Sequence, residues 1–422
     1  MDYVKRLVDQ ELDELLTGLP AIALDGPKGV GKTETLKRRA LTTIALDSAA
    51  QRETYLANPD RLRGVPRPVL IDEWQLVPHS WDVVRRAVDD GAEPGAFLLA
   101  GSATPLASSP FHSGAGRIAS IRMRPLALPE REICMPSVST RALLTGGATI
   151  DGDCPVTLTE YAEEIVRSGF PGLRGLAGRA RRAQLDGYLR RALGRNFVDD
   201  VGELMPRTES LFDWLKAYAA ATSSTASYEA IRDAASPGQA DPPAKTTTAR
   251  YRDWLSALWL LDPLPAWRAP GSPLRRLTAG PKHHLADPAL AARALDVEAE
   301  DLLDGEGRVI RGHGTLLGAL FESLATLTVR VIAQTLECRL SHLRTQRGEH
   351  EVDLILEGRG GRIVAFEVKL AATVSDNDVK HLHWLKEQLG NQVKDLVVLT
   401  TGPAAYRRSD GVAVVPLALL GL

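Results

Sequence analysis

Cysteine is scarce in this chain of 422 residues, and the three cysteines present are far apart. Cys134, Cys154 and Cys338 are odd in number and form no C-x-x-C pair. A disulfide framework needs an even set of cysteines, and a structural zinc site needs closely spaced ligands. The sequence predicts neither, and we expect a protein of a reducing compartment, the cytoplasm.

Long apolar runs and a strong charge of one sign are also missing. No uninterrupted apolar run reaches the roughly 18 residues that a membrane-spanning helix needs. Residues 1–16 have the pattern of a charged amphipathic helix and not that of a signal peptide. The formal net charge is -2 at pH 7, which argues against wholesale coating of nucleic acid. We expect no membrane partner.

The composition supplies enough apolar material for more than one core. Hydrophobic residues make up 44% of the chain and charged residues 25%, close to the averages of globular proteins. A chain of this length predicts roughly two to four domains. We predict an α/β domain over 1–150, a helical region over 151–270 and a second α/β domain over 271–422.

Short apolar runs alternate with helical stretches in the N-terminal part. The runs at 21–24, 69–71 and 97–100 are each followed by glycine, serine or acidic residues. This alternation is typical of a parallel sheet that is covered by helices on both faces. The N-terminal domain is therefore predicted to be a parallel-sheet α/β domain.

A glycine-rich octapeptide follows the first of these runs and satisfies the pattern G-x-x-x-x-G-K-[ST]. Its residues are Gly26, Pro27, Lys28, Gly29, Val30, Gly31, Lys32 and Thr33. Between a strand and a helix, such a loop wraps phosphates with backbone N–H groups. Lys32 is predicted to contact the β and γ phosphates and Thr33 to ligate Mg²⁺, so the sequence predicts an ATP site.

Hydrolysis needs a carboxylate on the Mg²⁺ side and a group that orients the attacking water. Asp72 and Glu73 follow the second apolar run and are predicted to fill these two roles, an ordinary acidic strand end being the alternative. Ser102, after the third run, is expected beside Asp72 as a γ-phosphate sensor, a role open to Thr104 as well. Arg117 is a candidate arginine finger within its own subunit or across an interface, or else a solvated surface residue.

Helical stretches rich in Leu, Ala and Arg dominate from about residue 155 to about residue 267. Predicted helices over 227–234 and 246–261 are separated by a polar segment. Their spacing is compatible with a helix-turn-helix or winged-helix unit. A plain helical linker explains the pattern equally well.

The C-terminal part is predicted to have the order helix, strand, strand, helix, strand. The predicted ranges are 315–329, 351–356, 363–370, 378–389 and 395–400. Asp353, on the first of these strands, precedes Glu367 and Lys369, which is the D…(D/E)-x-K arrangement of restriction-endonuclease-like nucleases. Lys369 shares a face with Glu367, because residues i and i+2 of a strand point the same way.

Carboxylates at adjacent strand positions are suitable ligands for Mg²⁺ or Mn²⁺ in phosphodiester cleavage. Asp353 and Glu367 are predicted metal ligands, with Glu322 on the preceding helix as a third acid and Lys369 as the catalytic cation. Arg344, Arg347 and His350 precede Asp353 and are candidate phosphate contacts. A charged hairpin that matches the pattern by accident is the alternative.

The motifs taken together resemble a known family. GPKGVGKT, VLIDEWQ, LLAGSATP and AGRIASIRMRPLALPERE resemble, in order and spacing, prokaryotic AAA-type ATPases that carry a C-terminal domain of unknown function. SGFPGL, HHLADPAL, EVDLIL and FEVK resemble the C-terminal pattern of that family, so the resemblance covers nearly the whole chain. It implies an AAA-type P-loop domain, a helical middle resembling a winged helix and a restriction-endonuclease-like C-terminal domain.

The resemblance also implies ATP binding and hydrolysis, but no settled substrate. Our leading hypothesis is that ATP hydrolysis controls a C-terminal metal-dependent nuclease acting on nucleic acid, with DNA as the expected kind. Some members of the family lack the nuclease residues. The second hypothesis is therefore a nucleotide-switched regulatory module that binds DNA or protein without cutting. A homo-oligomer is compatible with both hypotheses.

Overall fold

Two large β-sheets organise the part of the chain that the structure, a computed structural model, describes. That part comprises residues 3–103, 114–194, 208–236, 243–268, 280–304, 307–309, 314–345 and 348–422. The N-terminal sheet has five strands and the C-terminal sheet has seven. A helical region lies between them along the chain.

The N-terminal sheet is entirely parallel, as predicted, in the order β2-β3-β4-β1-β5. Its strands are β1 (Ala21–Asp25), β2 (Thr42–Ala45), β3 (Val69–Asp72), β4 (Phe97–Gly101) and β5 (Ala119–Arg122). Its helices are α1 (Leu7–Leu15), α2 (Lys32–Lys37), α3 (Ala49–Ala57) and α4 (His79–Asp89). Successive strand residues point to opposite faces. Ile22 accordingly packs in one core with α1 and α2, and Ala23 in another with α3 and α4.

The C-terminal sheet is mixed, in the order β7-β12-β13-β11-β10-β9-β8. Its strands are β7 (Gly152–Asp153), β8 (Arg339–Arg344), β9 (Glu351–Glu357), β10 (Ile363–Val368), β11 (Val393–Thr400), β12 (Ala404–Arg407) and β13 (Ala413–Pro416). Strand β8 was not predicted, because three of its six residues are Arg or His and hide the apolar alternation. The observed order is thus helix, three strands, helix, strand.

The segment after the N-terminal sheet joins the C-terminal sheet. A separate parallel pair joins β6 (Val138–Ser139) to β14 (Leu420–Gly421), and β7 is antiparallel to β12. Helix α5 (Thr140–Thr145) packs against β11. The predicted boundary at residue 150 therefore does not coincide with a break between the two sheets. The backbone groups of this segment find their partners near the C-terminus.

The helical region packs as a bundle between the two sheets. Its helices are α6 (Leu158–Arg167), α7 (Gly178–Ala192), α8 (Thr208–Ala220), α9 (Tyr228–Ala234), α10 (Lys245–Ala257), α11 (Pro288–Ala294) and α12 (Ala299–Leu302). Helix α9 falls within the predicted range 227–234, and α10 begins one residue before the predicted range 246–261. Helix α10 ends four residues earlier than predicted, because Trp259 adopts a positive φ of 62° and Leu261 pairs with Leu285.

A long central helix, α13 (Gly314–Thr335), carries Glu322 and packs against α1, α6 and α11. Among the described residues it has the length and composition of a membrane-crossing helix, but 78% of its apolar window is buried inside the protein. Burial of this extent is typical of the core helix of a globular fold. Helix α14 (Asp376–Leu389) connects β10 to β11.

The buried carboxylate of Asp287 ties α11 to the segment that follows α6. It accepts hydrogen bonds from the Ser168 hydroxyl at 2.9 Å, the Gly169 N–H at 2.6 Å and the Ala289 N–H at 2.8 Å. The Asp287→Ala variant leaves three buried donors without an acceptor, and we expect it to lose about 3 kcal/mol of unfolding free energy. Urea denaturation measures the loss.

The matched control is Asp296→Asn, at an exposed aspartate that pairs with Arg293 just after the same helix; asparagine removes the charge and tolerates the positive φ of 58° at this position. Exposed ion pairs contribute about 0 to 1 kcal/mol, so this variant should unfold within that range of the unmodified protein. Equal losses in the two variants would contradict the role given to Asp287.

Candidate functional site

The phosphate loop joins β1 to α2 and depends on glycine at its first position. Gly26 adopts φ 155°, and a Cβ atom there would lie 2.2 Å from the carbonyl oxygen of Met123. Gly29 and Gly31 have φ of 80° and 108°. Residues other than glycine rarely adopt these backbone conformations. The loop can therefore fold closely over the end of β5 while it turns its backbone towards the open side.

Lys32 is buried, and its ammonium group is held by the loop itself. It donates to the carbonyl oxygens of Gly26 at 2.7 Å and Pro27 at 3.0 Å. Burial lowers the pKa of Lys32 to about 8, although the carboxylates of Glu73 and Asp25 act in the opposite direction. A phosphate group would supply the negative charge that this buried ammonium requires.

Thr33 and Asp72 meet as expected of residues that share one Mg²⁺ ion. The Thr33 hydroxyl donates to Asp72 Oδ1 at 2.9 Å. Burial raises the pKa of Asp72, and the Thr33 hydrogen bond opposes that rise. A hydroxyl and a carboxylate beside a phosphate loop fit the ligand set of a nucleotide-bound Mg²⁺ ion.

Glu73 follows β3 in a left-handed conformation, with φ 53°. The Ser102 hydroxyl donates to Glu73 Oε2 at 2.6 Å. Ser102, which we predicted to lie beside Asp72, is thus bonded to its neighbour Glu73. The buried amide of Gln75 contacts Glu73 and donates to the Ser102 hydroxyl at 3.0 Å. Sequence reasoning missed Gln75, although it lies inside the quoted motif VLIDEWQ.

A cavity of about 570 Å³ opens in front of the phosphate loop, within the size range of ligand pockets. Lys32, Thr33 and Glu73 line one side of it. Tyr3 and Arg6 line another part, and the segment 171–174, from the start of the helical region, completes the wall. Nucleotide bound here would therefore touch both the N-terminal domain and the helical region.

Arg117 does not line this cavity. Its guanidinium donates to Asp89 Oδ1 at 2.8 Å, at the end of α4, and its side chain is 49% exposed. This ion pair holds Arg117 on the surface, so the structure does not bring it to the phosphate loop of its own subunit. Action across a subunit interface stays a prediction. Thr104, the other candidate sensor, lies outside the described residues.

The C-terminal residues singled out from the sequence do come together. Asp353 on β9 and Glu367 on β10 lie on adjacent strands, and Asp353 Oδ2 accepts from the Val368 N–H at 2.9 Å. The Lys369 ammonium donates to Glu367 Oε1 at 2.8 Å. Glu322, on α13, lies near Asp353. Both carboxylates contact the same third side chain.

That further side chain is Lys282, which sequence reasoning missed. Its ammonium lies 2.9 Å from Glu322 Oε1, 3.0 Å from Glu351 Oε1 and 2.8 Å from Asp353 Oδ1. The Lys282 side chain is only 1% exposed. No pattern near residue 282 signals this contact, because its partners lie 40 or more residues further along the chain.

Burial and the neighbouring charges shift the pKa values of this cluster. Burial, reinforced by the nearby Asp353 charge, raises the pKa of Glu322 and that of Glu367 to about 8. Burial acts to raise the pKa of Asp353 too, but the Lys282 ammonium outweighs it and lowers that pKa. Lys282 therefore stabilises the ionised form of Asp353.

The predicted set of Glu322, Asp353 and Glu367 does not fit a divalent metal in this arrangement. Lys282 lies between the carboxylates, and the described residues contain no group of three or more His, Cys, Asp or Glu side chains disposed to hold a metal. The sequence-based prediction assumed that these carboxylates faced one another without a cation between them.

Two of the three candidate phosphate contacts lie beside the cluster. Arg344 is half-exposed and lies 3.5 Å from Glu351. His350 stacks on Trp384 with the ring centroids 4.0 Å apart. Arg347 lies outside the described residues. The Arg344 guanidinium and the stacked rings of His350 and Trp384 thus form a rim beside the buried acids.

Comparison with known proteins assigns the N-terminal part. Residues 19–132 match the model of a family described as an AAA domain. With the strand, loop and helix around Lys32 and Thr33, this match identifies an AAA-type P-loop ATPase domain. Residues 158–301 match a domain of unknown function (DUF8612), and residues 317–420 match another (DUF4143).

Relatives of this chain occur in mycobacteria. Two uncharacterised proteins, from Mycobacterium bovis and Mycobacterium tuberculosis, are each 27% identical over 405 residues, which cover 94% of this chain and 80% of the relative.

Two solved structures show low overall similarity to this chain. A Walker-type ATPase of Pyrococcus abyssi is 17% identical, with 69% of this chain and 96% of that chain covered and a TM-score of 0.42. The ORC2 protein of Aeropyrum pernix is 16% identical, with 68% and 90% covered and a TM-score of 0.27.

The position of Glu73 predicts that the Glu73→Gln variant will bind ATP but hydrolyse it slowly. Glu73→Gln keeps the hydrogen-bonding shape beside Ser102 but removes the carboxylate that would accept a proton from water. We expect ATP binding within about twofold of the unmodified protein and turnover that is slower by about 100-fold or more. Steady-state phosphate release and titration with a fluorescent ATP analogue measure the two quantities.

Glu53→Gln serves as the control, because Glu53 is an exposed glutamate on α3 of the same domain. Its turnover should equal that of the unmodified protein. Unchanged hydrolysis in Glu73→Gln would remove Glu73 from the role of polarising water.

Proposed function

We propose that this protein is an ATP-driven switch whose P-loop domain controls how its C-terminal domain binds nucleic acid, with DNA as the expected kind. In the version of this proposal that we favour, the C-terminal carboxylate cluster (Glu322, Glu351, Asp353 and Glu367) does not cleave nucleic acid. The observation that carries the proposal is a buried ion network, centred on Asp262, that connects the nucleotide-binding sheet to the helix bearing Glu322.

Asp262 lies between the two sheets and accepts from three guanidinium groups. Arg122, the last residue of β5, donates to it at 2.9 Å, and Arg124, two residues later, donates at 2.7 Å. Arg330, on α13, contacts Oδ1 at 2.5 Å and donates to the Asp262 carbonyl oxygen at 2.7 Å. A shift of β5 cannot leave these contacts intact unless α13 moves with it.

On the nucleotide side, the network begins next to the cavity. The residue after Arg122 is Met123, which lines the cavity and donates its N–H to the Asp25 carbonyl oxygen at 2.7 Å. Asp25 immediately precedes the phosphate loop. Nucleotide that orders the loop would therefore act on the end of β5.

On the C-terminal side, the network is connected to Glu322 and to Lys282, two members of the ion cluster. Arg330 lies on the same helix as Glu322. The Asp262 N–H donates to the His284 carbonyl oxygen at 2.9 Å, two residues from Lys282, and Leu264 pairs with Lys282. A continuous set of contacts thus connects the two sites, and packed side chains and ion networks of this kind are one physical route by which coupling is carried.

Support for nucleic acid as the ligand comes from two features. The cluster has the residue set of enzymes that act on phosphodiesters, with Arg344 at its rim. Helix α10, in the region that we predicted to resemble a winged helix, exposes Lys245 and Arg250. Exposed cations on such a helix are suited to phosphate contacts.

A metal-dependent nuclease under ATP control is the second candidate. It is favoured by the assembly of Asp353, Glu367 and Lys369 at neighbouring strand positions. It requires a divalent metal where Lys282 now lies, and for that reason we favour the non-cutting form.

Labelled nucleic acids separate the two candidates. Single-stranded and double-stranded DNA and RNA are incubated with the protein and Mn²⁺, with ATP, with a non-hydrolysable ATP analogue or with ADP. We expect binding that differs roughly fivefold or more between analogue and ADP, no shortened product, and the same behaviour in Lys369→Ala. Nucleotide-dependent cleavage that is lost in Asp353→Ala would establish the nuclease instead. Nucleic-acid affinity that is absent or independent of nucleotide would overturn the proposal.

Coupling through Asp262 is tested by Arg330→Gln, which releases α13 from the network but leaves two arginines on the carboxylate. We expect ATP hydrolysis within about threefold of normal, while the ratio of nucleic-acid affinities in analogue and ADP falls to about one. Arg339→Gln, at an exposed arginine on β8 that pairs with Glu357, should keep the normal ratio. A normal ratio in Arg330→Gln would show that the network does not transmit the nucleotide state.

A further inference from the structure

We infer that Lys282 is the resident cation of the C-terminal carboxylate cluster, defined as Glu322, Glu351, Asp353 and Glu367, and that its ammonium excludes divalent metal. The inference rests on the non-cutting form of the proposed function and deepens it. According to this inference, a side chain of the protein itself occupies the position that the metal of a nuclease would need.

The distances around the ammonium are those of hydrogen-bonded ion pairs. Three carboxylate oxygens lie 2.8 to 3.0 Å from Lys282 Nζ, one each from Glu322, Glu351 and Asp353. Mg²⁺ takes its oxygen ligands at about 2.0 to 2.1 Å. The carboxylates are thus spread to the radius of an ammonium group, and a metal would have to draw them inwards after displacing it.

The backbone of Lys282 is fixed on both sides, so the side chain is not a surface arm that can swing away. Its N–H and carbonyl oxygen both pair with Leu264, at 2.9 and 2.8 Å. The His283 ring bonds the Ala226 carbonyl oxygen at 2.8 Å, and the His284 ring lies 3.3 Å from the Ser323 hydroxyl. These contacts fix the backbone, and the side chain is 1% exposed, so both hold the ammonium within the cluster.

The charges in the cluster also oppose the binding of a divalent metal. The lysine already compensates the ionised Asp353, and Lys369 contacts Glu367 at 2.8 Å. A divalent ion added beside the buried ammonium would meet like charge at close range in a poorly screened interior. Metal and ammonium therefore compete for one set of oxygens.

This competition predicts that removal of the lysine charge creates a metal site. In Lys282→Gln the carboxylates lose their resident cation, and Mn²⁺ becomes the available counter-charge. Mn²⁺ is titrated into the full chain without nucleotide, and the free ion is followed by electron paramagnetic resonance. We expect Lys282→Gln to gain a site at least about tenfold tighter than any that the unmodified protein offers there.

Two further variants assign the new site. Asp353→Asn in the Lys282→Gln background should abolish it, since Asp353 is the central carboxylate. Lys394→Gln is the matched control, because Lys394 is a partly exposed lysine of the same sheet whose ammonium donates to the Asn391 carbonyl oxygen; it should bind Mn²⁺ like the unmodified protein. Failure of Lys282→Gln to bind Mn²⁺ in its folded state would overturn the inference.

The unmodified chain provides a test that does not depend on the folding of Lys282→Gln. If Lys282 excludes metal, the unmodified protein and Asp353→Asn should give the same Mn²⁺ titration, and so should Lys282→Arg, which keeps the charge. Mn²⁺ binding by the unmodified protein that Asp353→Asn removes would overturn the inference. This readout uses no nucleic acid or ATP, so it stands apart from the outcome of the nucleic-acid binding experiment.

Discussion

The carboxylate of Asp262 is the interaction on which the arrangement of this protein depends. Burial acts to raise its pKa, but the guanidinium groups of Arg122, Arg124 and Arg330 outweigh burial and hold that pKa well below its usual range. Burial also lowers the pKa of Arg122 to about 10. One carboxylate thus compensates the charge of three arginines, of which Arg330 is buried and Arg122 and Arg124 are partly buried. Removal of one partner of such a group leaves uncompensated buried charge, which costs about 3 to 5 kcal/mol.

The Lys282 cluster is built on the same principle with the signs reversed. There one ammonium serves three carboxylates, whereas at Asp262 one carboxylate serves three guanidinium groups. Both centres draw their charges from segments that are distant in sequence, and the pairing of Leu264 with Lys282 brings them close together. The two centres therefore constrain the same few backbone residues, which makes this region the natural place for the state of one site to affect the other.

The phosphate loop has a different origin. Lys32 bonds to carbonyl oxygens five and six residues away, so the loop is shaped by its own local sequence. Its partner Asp72 lies at the end of β3, a parallel strand of the same sheet that is separated from β1 by β4; the carboxyl ends of parallel strands meet at one edge of a sheet. Both features follow rules of spacing and topology. The AAA-type domain was accordingly predictable, and the match of residues 19–132 confirms it.

The sequence by itself determined the parallel N-terminal sheet, the phosphate loop with its Asp72 partner, and the meeting of Asp353, Glu367 and Lys369, because these depend on strand periodicity and short spacings. Only the tertiary structure decided that Lys282 lies among the C-terminal acids, that Arg117 is held by Asp89 and that residues 138–153 pair with the C-terminal strands. Each of these is a contact between segments far apart in the chain. Local pattern carries no information about which distant charge or edge strand will satisfy a buried group, since that choice is made by the packing of the whole molecule.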